Sequence, residues 1–265
     1  MSTRFTILGC GSSGGVPRVG NIWGNCDPAN PKNRRRRCAL LVERFGKQGR
    51  TTVLVDTPPD LREQLLAARV EHIDGVLYTH THADHTHGID DLRGMFFITK
   101  HRIPVFADVD TRRELESRFD YCFIQKPGSI YPAILHARDI SPPEPVRIDG
   151  AGGPIEAVPI LQDHGGAPSL GFRFGDVAYS PDISGIPEAS MALLQGLDVW
   201  IVDALRPAPH PSHFGVRQTL QWIERLGVER AILTHMTVEL DYDALRRELP
   251  SHIEPAYDGM TVEMD

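Results

Sequence analysis

One short segment carries four of the chain's 12 histidines together with an aspartate: His80, His82, Asp84, His85 and His87. The segment directly follows an apolar run at residues 75–78, which is typical of a β-strand. A strand that ends in His-x-His-x-Asp-His can point several imidazoles and a carboxylate at one position. Neutral imidazole and carboxylate together bind zinc, manganese or iron in proteins. The spacing therefore predicts a metal site, with a solvent-exposed histidine cluster as the alternative interpretation.

Three further residues of metal-binding type each follow a strand-like run. His164 closes the run at 155–163, Asp182 closes 177–181, and His235 closes 231–234. Each one alone is more typical of a core or capping residue. Together with the histidine segment they form a set too large for one tetrahedral ion, which favours two metals over one.

The elements that must position these residues are short and alternate in type. Apolar runs indicate strands at 5–8, 39–43, 52–55, 75–78, 155–160, 170–174, 177–179, 199–203, 231–233 and 261–264. Helix signals indicate helices that begin near Asp60 and span about 110–119, 216–226 and 242–248. This interleaving predicts an α/β (α+β) fold with helices on sheet faces and catalytic groups on loops at strand ends. No repeat or linker divides residues 1–265, so we expect one domain, with the glycine-rich stretch at 149–154 as a tight turn or a hinge.

Composition excludes several classes of protein. Hydrophobic residues make up 41% and charged residues 24% of the chain, which argues against a disordered or coiled-coil protein. The longest apolar runs fall far short of the ~20 residues that a membrane-spanning helix needs. The first residues lack the pattern of a secretory signal, which predicts a cytoplasmic protein. A net charge of -7 argues against a large nucleic-acid footprint.

The histidine segment and the three downstream residues resemble the metallo-β-lactamase superfamily, over essentially the whole chain. Members of that superfamily carry two metals at one edge of an αββα four-layer sandwich. The resemblance implies two divalent metal ions, zinc or manganese, with Asp182 as a bridge between them. It assigns His80, His82 and His164 to the first ion and Asp84, His85 and His235 to the second.

Flanking motifs resemble the phosphodiesterase branch of this superfamily, in particular the phosphoribosyl 1,2-cyclic phosphate phosphodiesterases. They are LGCGSSGGVP at 8–17, YSPD at 179–182 and YDGM at 257–260. The resemblance implies a metal-dependent phosphoric diester hydrolase. Its substrate would be a small cyclic or nucleotide-like phosphodiester, attacked by a metal-bridging hydroxide.

One feature of the resembled enzymes is missing from this sequence. They carry a structural zinc held by a cysteine cluster in the early loop and by a histidine three residues beyond the last metal ligand. This chain has only Cys26 in that loop and Val238 at that position. We therefore expect no structural zinc, with the loop held through Asn30, Asn33 and the neighbouring arginines.

Attack on a phosphodiester expels an alkoxide, so a proton donor opposite the metals accelerates the reaction. The candidate catalytic residues are Asp84 and His213, and a counterpart of His213 recurs in the resembled branch. A surface or capping histidine before the helix at 216 is the alternative for His213. His210 is expected to be a loop residue, and His87 to support the metal ligands without binding metal. Asp56 is expected to accept a hydrogen bond from an imidazole N–H.

The arginines permit two interpretations. Arg34, Arg35, Arg36 and Arg37 form a run whose leading interpretation is a solvated basic patch, with phosphate capture as the rival. Arg93 and Arg206 are closer in sequence to the metal-binding residues and are candidate phosphate clamps. The glycines at 11–15 allow either close approach of a ligand to the backbone or a tight turn.

Two other functions remain open. The early glycine-rich loop also resembles proteins of pyrroloquinoline quinone synthesis, in which the metal would be redox-active. A tRNA 3′-processing endonuclease shares the ligands but usually adds a basic arm, and we find no Lys- or Gly-rich insertion of that kind. The expected partner is a small phosphorylated substrate, without membrane association, and a homodimer is one open oligomeric state.

Overall fold

The computed structural model describes residues 2–265. Its strands are β1 (Ser2–Gly9), β2 (Ala39–Gly46), β3 (Gly49–Val55), β4 (Gly75–Leu77), β5 (Ile103–Ala107), β6 (Leu135–Asp139), β7 (Val146–Ile148), β8 (Ile155–His164), β9 (Ala167–Phe174), β10 (Val177–Ser180), β11 (Val199–Asp203), β12 (Arg230–Thr234), β13 (Ile253–Pro255) and β14 (Met260–Met264). Its α-helices are α1 (Leu61–Ala67), α2 (Ala83–Thr86), α3 (Leu92–Thr99), α4 (Val109–Arg118), α5 (Asp120–Phe123), α6 (Val216–Leu226) and α7 (Tyr242–Glu248).

The strands form two seven-stranded sheets, in the orders β14-β1-β2-β3-β4-β5-β6 and β13-β12-β11-β10-β9-β8-β7. Strand β2 shows why each sheet has two apolar faces. Leu40 and Val42 belong to the core between the sheets, whereas Leu41 packs into the core beneath the outer helices. This alternation follows from the two-residue period of a strand. Across the central core, the rings of Phe5 and Phe174 lie 5.9 Å apart.

Helices cover the outer faces and complete four layers. Leu61 and Leu65 of α1, Leu92 of α3 and Leu115 of α4 pack against the first sheet. Helices α6 and α7 contribute Ile223, Leu226 and Leu245 to the core that contains the second sheet. The predicted αββα sandwich is therefore confirmed. Among the helices within residues 2–265, none combines the length and the apolar character that crossing a bilayer demands.

The predicted boundaries agree with the structure where the periodicity is strong, as in β11, α6 and α7. The prediction missed β5, β6, β7, β13, α2, α3 and α5. Pro104 interrupts β5, and Gly94 interrupts α3, so neither sequence shows a clean pattern. The stretch at 149–154 is a tight turn between β7 and β8. The backbone N–H of Gly152 donates to Thr51 Oγ1 over 3.0 Å and ties this turn to β3.

The early loop is held by polar contacts, as expected. The Arg35 side chain is fully buried and donates to the carbonyl oxygen of Thr237 over 3.2 Å. Asn33 Nδ2 donates to Asp241 Oδ2 over 2.6 Å, at the N-cap of α7. Asn30 Nδ2 also donates to an aspartate of α7, over 2.9 Å. The loop is thus fastened to α7 and to the segment after β12, whereas the expected absence of a structural zinc stays a prediction.

Candidate metal centre

The seven predicted ligands converge at one edge of the sandwich, where several parallel strands end. Their ligand atoms form two groups, and within each group all of the atoms lie within 4.8 Å of one another. The groups are His80, His82, His164 and Asp182, and Asp84, His85 and His235. Convergence follows from topology, because the carboxyl ends of parallel strands meet at the same edge of a sheet. The assignment of each side chain as a metal ligand stays a prediction.

Asp182 lies between the two groups. Its Oδ2 is 3.7 Å from His80 Nε2 and 3.6 Å from His164 Nε2. Its Oδ1 is 3.0 Å from His85 Nε2 and 3.4 Å from His235 Nε2. Each carboxylate oxygen therefore faces a different group, which is the arrangement that a bridging ligand requires.

Local backbone geometry aims these side chains. His82 has extended backbone and is the N-cap of α2, whose single turn carries Asp84 and His85. His235 directly follows β12 and has a φ of 55°, while Asp56 directly follows β3 and has a φ of 65°. Left-handed backbone at residues other than glycine is costly and concentrates at functional sites.

Hydrogen bonds behind the centre fix the orientation of its imidazoles. Asp56 Oδ2 lies 2.7 Å from His85 Nδ1, as the sequence predicted for this carboxylate. The backbone N–H and the hydroxyl of Thr79 also donate to Asp56, over 2.9 and 2.8 Å. His164 Nδ1 lies 2.6 Å from the carbonyl oxygen of Ser212. These contacts hold the Nδ1 side of His85 and His164, so that Nε2 of each faces the centre.

Several buried polar atoms inside the centre lack a hydrogen-bond partner. They include His85 Nε2, His235 Nε2 and Asp182 Oδ1. Native proteins pair almost all buried polar atoms, and each exception calls for a specific cause. Imidazole nitrogens and a carboxylate oxygen that face one another without hydrogen bonds match the donor set of a divalent cation. The residues therefore fit divalent metal binding.

The environment of the first group favours the neutral form of His80 and His164. Burial lowers the pKa of His80 well below its usual value and lowers the pKa of His164 to about 4. Both rings are consequently neutral at neutral pH, which is the form that binds metal.

The carboxylates of the centre stay ionised, and their charge acts on His85. Burial opposes ionisation of Asp182, but His235 and His85 outweigh it and hold its pKa well below the usual value. Burial likewise opposes ionisation of Asp84, and His85 outweighs it to lower the pKa of Asp84. For His85, burial disfavours charge, yet Asp182 and Asp56 raise its pKa well above normal. The centre thus attracts positive charge at the position of the second group.

The sequence analysis missed Asp203, the last residue of β11. Its Oδ2 lies 2.7 Å from His213 Nδ1 and accepts a hydrogen bond from the backbone N–H of Ile183 over 3.2 Å. Asp203 is completely buried, and burial raises its pKa well above normal. The sequence did contain a signal for Asp203, because this residue ends a correctly predicted strand. Asp182 was identified from the same kind of position, at the end of a strand-like run.

His213 lies against the ligand groups. Its Nε2 is 3.9 Å from Asp182 Oδ2, and its ring stacks on His235 with centroids 4.7 Å apart. Atoms of Asp182, His213 and His235 also lie within 4.8 Å of one another. The geometry therefore suits both a proton donor and an additional ligand.

The remaining candidates occupy other positions. The His210 ring lies 5.3 Å from that of His213, and His210 Nδ1 accepts from the backbone N–H of Ser212 over 3.3 Å. His87 is exposed and packs on Phe119 at 5.6 Å, and no hydrogen bond links it to a metal-binding residue within the described chain. Its expected role of supporting the metal ligands stays a prediction.

The two candidate clamps have internal partners. Arg93 Nη2 lies 2.7 Å from Asp90 Oδ1, and its guanidinium lies 5.7 Å from the ring of Tyr121. Arg206 Nη2 donates to the carbonyl oxygen of Pro209 over 2.9 Å, within the loop after β11. Both guanidinium groups therefore stabilise the segments in which they lie.

Fold and site together define a metal-dependent hydrolase with an αββα sandwich. A family model described as a β-lactamase superfamily domain matches residues 51–236. The chain also aligns with a solved diphosphatase from the PhnP family, with 35% identity, 100% of this chain and 98% of that chain covered, and a TM-score of 0.87. The chain belongs to the β-lactamase superfamily and, within it, to the PhnP family.

More distant structures share the fold. PqqB from Methylobacterium extorquens is 17% identical, with 98% of this chain and 100% of that chain covered and a TM-score of 0.73. The short form of human tRNase Z is 17% identical, with 98% of both chains covered and a TM-score of 0.63.

One curated relative is an octanoyltransferase from Porphyromonas gingivalis, 31% identical over 99% of this chain. The match covers 52% of that protein, so this chain spans about half the length of the curated relative. The name of that relative therefore describes a longer protein, about half of which does not align with this chain.

Proposed function

We propose that this protein hydrolyses a small cyclic or nucleotide-like phosphodiester with the help of two divalent metal ions. The observation that carries the proposal is the position of Asp182, which presents one oxygen to each ligand group. The PhnP-family relative adds support, because its solved structure is described as a diphosphatase and phosphoryl substrates therefore occur in this family.

Two metal ions would supply Lewis acidity and a hydroxide nucleophile at neutral pH. His80, His82, His164 and Asp182 would hold one ion. Asp84, His85, His235 and Asp182 would hold the other. Imidazole and carboxylate suit both zinc and manganese, so the ligand set is compatible with either metal.

The pair of Asp203 and His213 would handle the proton that the leaving group requires. Asp203 holds His213 Nδ1, so His213 Nε2 faces the ligand groups and can donate to a departing oxygen. Burial lowers the pKa of His213, so donation becomes less available as the pH rises above that lowered value. In this proposal Asp84 acts by holding the second ion.

Hydrolysis of a diphosphate linkage is a second candidate, favoured by the description of the PhnP-family relative. The two reactions differ in the leaving group. A sugar alkoxide requires a proton as it departs, whereas a phosphate leaves more readily without one. The dependence on His213 therefore distinguishes the two candidates.

The test uses metal-loaded protein with three substrates: bis-p-nitrophenyl phosphate, a cyclic phosphoribose and a diphosphate-linked dinucleotide. We expect turnover of the first two, and His82→Ala should abolish it. Turnover of the dinucleotide alone would select the second candidate. No turnover above the His82→Ala background with any of the three would contradict both.

A further inference from the structure

A concave site lies beside the early loop. This site, the arginine cleft, has a volume of about 610 Å³ and is lined by Gly15, Arg34, Arg35, Arg36, Arg37 and Asp60, among others. The chain has a net charge of -7, yet four consecutive arginines line this one cleft. A concave surface with charges of one sign focuses the electric field and attracts ions of the opposite sign.

The carboxylates of the cleft leave some of this charge uncompensated. Asp258 Oδ2 lies 2.9 Å from Arg36 Nε, and Asp60 Oδ2 lies 3.0 Å from Arg37 Nε. The third carboxylate, Glu63, pairs with Arg62. Arg34 has no carboxylate partner among residues 2–265, and its guanidinium lies 5.3 Å from the ring of Trp23. The cleft therefore retains an excess of positive charge.

The guanidinium groups are already positioned. Arg35 is buried and donates to Thr237 and Asn33, so its side chain supports the wall of the cleft and is not available to a ligand. The arginines that keep exposed surface at the cleft are Arg34, Arg36 and Arg37. Arg36 is held by Asp258 through both its backbone N–H and its Nε. Guanidinium groups fixed in this way bind oxyanions through paired hydrogen bonds with little further loss of side-chain entropy.

The glycine-rich segment connects the wall of this cleft to the chain just after His235. The backbone N–H of Gly11 donates to the carbonyl oxygen of Arg36 over 2.8 Å. Gly11 also pairs with Met236, the residue directly after His235. At Gly15, φ is 63° and an added Cβ would lie 3.2 Å from the carbonyl oxygen of Arg35, so glycine lets this segment pass close to the arginines.

We propose that the arginine cleft binds a small phosphate-bearing ligand, of the phosphomonoester or diphosphate class, at a site distinct from the metal centre. Phosphate oxygens match the geometry of several guanidinium groups that line one concave surface. The acidic balance of the chain favours a small anion over a nucleic acid, which needs an extended basic surface. This inference does not depend on the reaction proposed for the metal centre.

The test is calorimetric titration of the metal-loaded protein with inorganic phosphate, pyrophosphate and AMP. The principal variant is Arg34→Glu, because Arg34 is exposed and its substitution leaves the buried contacts intact. Arg225→Glu is the matched control, since Arg225 is also exposed and lies 4.7 Å from a tryptophan ring, that of Trp222. His82→Ala reports on binding at the metal centre.

We expect Arg34→Glu to weaken pyrophosphate binding by about 10-fold or more, because it removes a charge-assisted contact and adds a repelling negative charge. Arg225→Glu and His82→Ala should leave this binding within about 2-fold. Equal effects of the two glutamate variants would overturn the proposal, as would complete loss of binding in His82→Ala. Tighter binding of a single-stranded oligonucleotide than of pyrophosphate, dependent on Arg34, would replace the small ligand with a nucleic acid.

Discussion

Asp203 Oδ2 lies 2.7 Å from His213 Nδ1, and His213 Nε2 lies 3.9 Å from Asp182 Oδ2. A completely buried carboxylate therefore fixes one nitrogen of a histidine whose other nitrogen faces the candidate metal centre. A similar relationship holds on the far side, where Asp56 fixes His85. Two buried carboxylates thus orient two imidazoles at one centre, and the roles of these pairs can be separated by substitution.

His213→Ala tests proton donation. If His213 protonates the leaving oxygen, kcat for a cyclic phosphoribose should fall about 10²-fold, because proton transfer by a positioned side chain contributes about that much. The rate with bis-p-nitrophenyl phosphate should fall much less, since p-nitrophenolate leaves without a proton. Steady-state kinetics with both substrates and elemental analysis measure the effect. Loss of metal in proportion to activity would make His213 a ligand instead.

Asp203→Asn tests the positioning of His213. The amide keeps the shape but no longer accepts as a carboxylate, so we expect a kcat about 10-fold to 10²-fold lower at unchanged metal content. The pH–rate profile should also move, which a purely structural role would not cause. Asp149→Asn is the control, because Asp149 is an exposed aspartate far along the chain in the β7–β8 turn. A parallel loss of folded protein and activity would count against the positioning role.

Asp182→Ala tests the bridge. One oxygen of Asp182 faces each ligand group, so Asp182→Ala should weaken the binding of both ions. His82→Ala removes a ligand from the first group only. Elemental analysis after dialysis against a weak chelator measures the metal that is retained. We expect Asp182→Ala to retain almost no metal and His82→Ala to retain part of it. Retention of the same amount by both variants would contradict a bridging role.

The pH dependence of stability tests the environment of His164. In the metal-free folded protein its pKa is about 4, whereas in the unfolded chain it is about 6.5. Between these values the unfolded state binds more protons, so this histidine makes the folded state more stable as the pH rises from about 4 to about 6.5. Above about 6.5 its contribution is constant.

His164→Gln isolates that contribution from the other titrating groups. Urea unfolding of the chelator-treated protein at several pH values should show a smaller rise in the free energy of unfolding across this window for the variant. Identical pH profiles for the two proteins would mean that His164 has an ordinary pKa in the folded state.

Arg35→Met tests the contacts that hold the early loop. The Arg35 guanidinium is buried, donates to Thr237 and lies 3.4 Å from Asn33 Oδ1, so its loss leaves buried acceptors unpaired. We expect a decrease of about 2–4 kcal/mol in the free energy of unfolding. Chemical unfolding measures it, with Arg34→Met as the control on the exposed neighbour. Similar values for the two variants would show that the buried contacts contribute little.

Much of the fold and of the candidate site could be predicted from local pattern. The strand before His80 is a short apolar run, and the helix at Val216–Leu226 has strong helical periodicity; both patterns reflect which faces must be buried. Strand β5 and helix α3 were missed because Pro104 and Gly94 break that periodicity, and packing on the sheet overrides the local preference. The contact between the rings of His87 and Phe119 could not be predicted from local pattern, because the two residues are distant in the sequence.

The sequence by itself determined the chemistry that is available: the types of ligand, their spacing in one short segment and their places at the ends of strands. Only the tertiary structure decided that Asp182 stands between two groups, that Asp203 holds His213 and that Arg35 is buried while Arg34 is exposed. The physical reason is the separation in sequence between the residues that contact one another. Periodicity and turn residues express contacts between near neighbours in the chain, whereas these relationships depend on two sheets packing face to face and on strands distant in sequence ending at one edge.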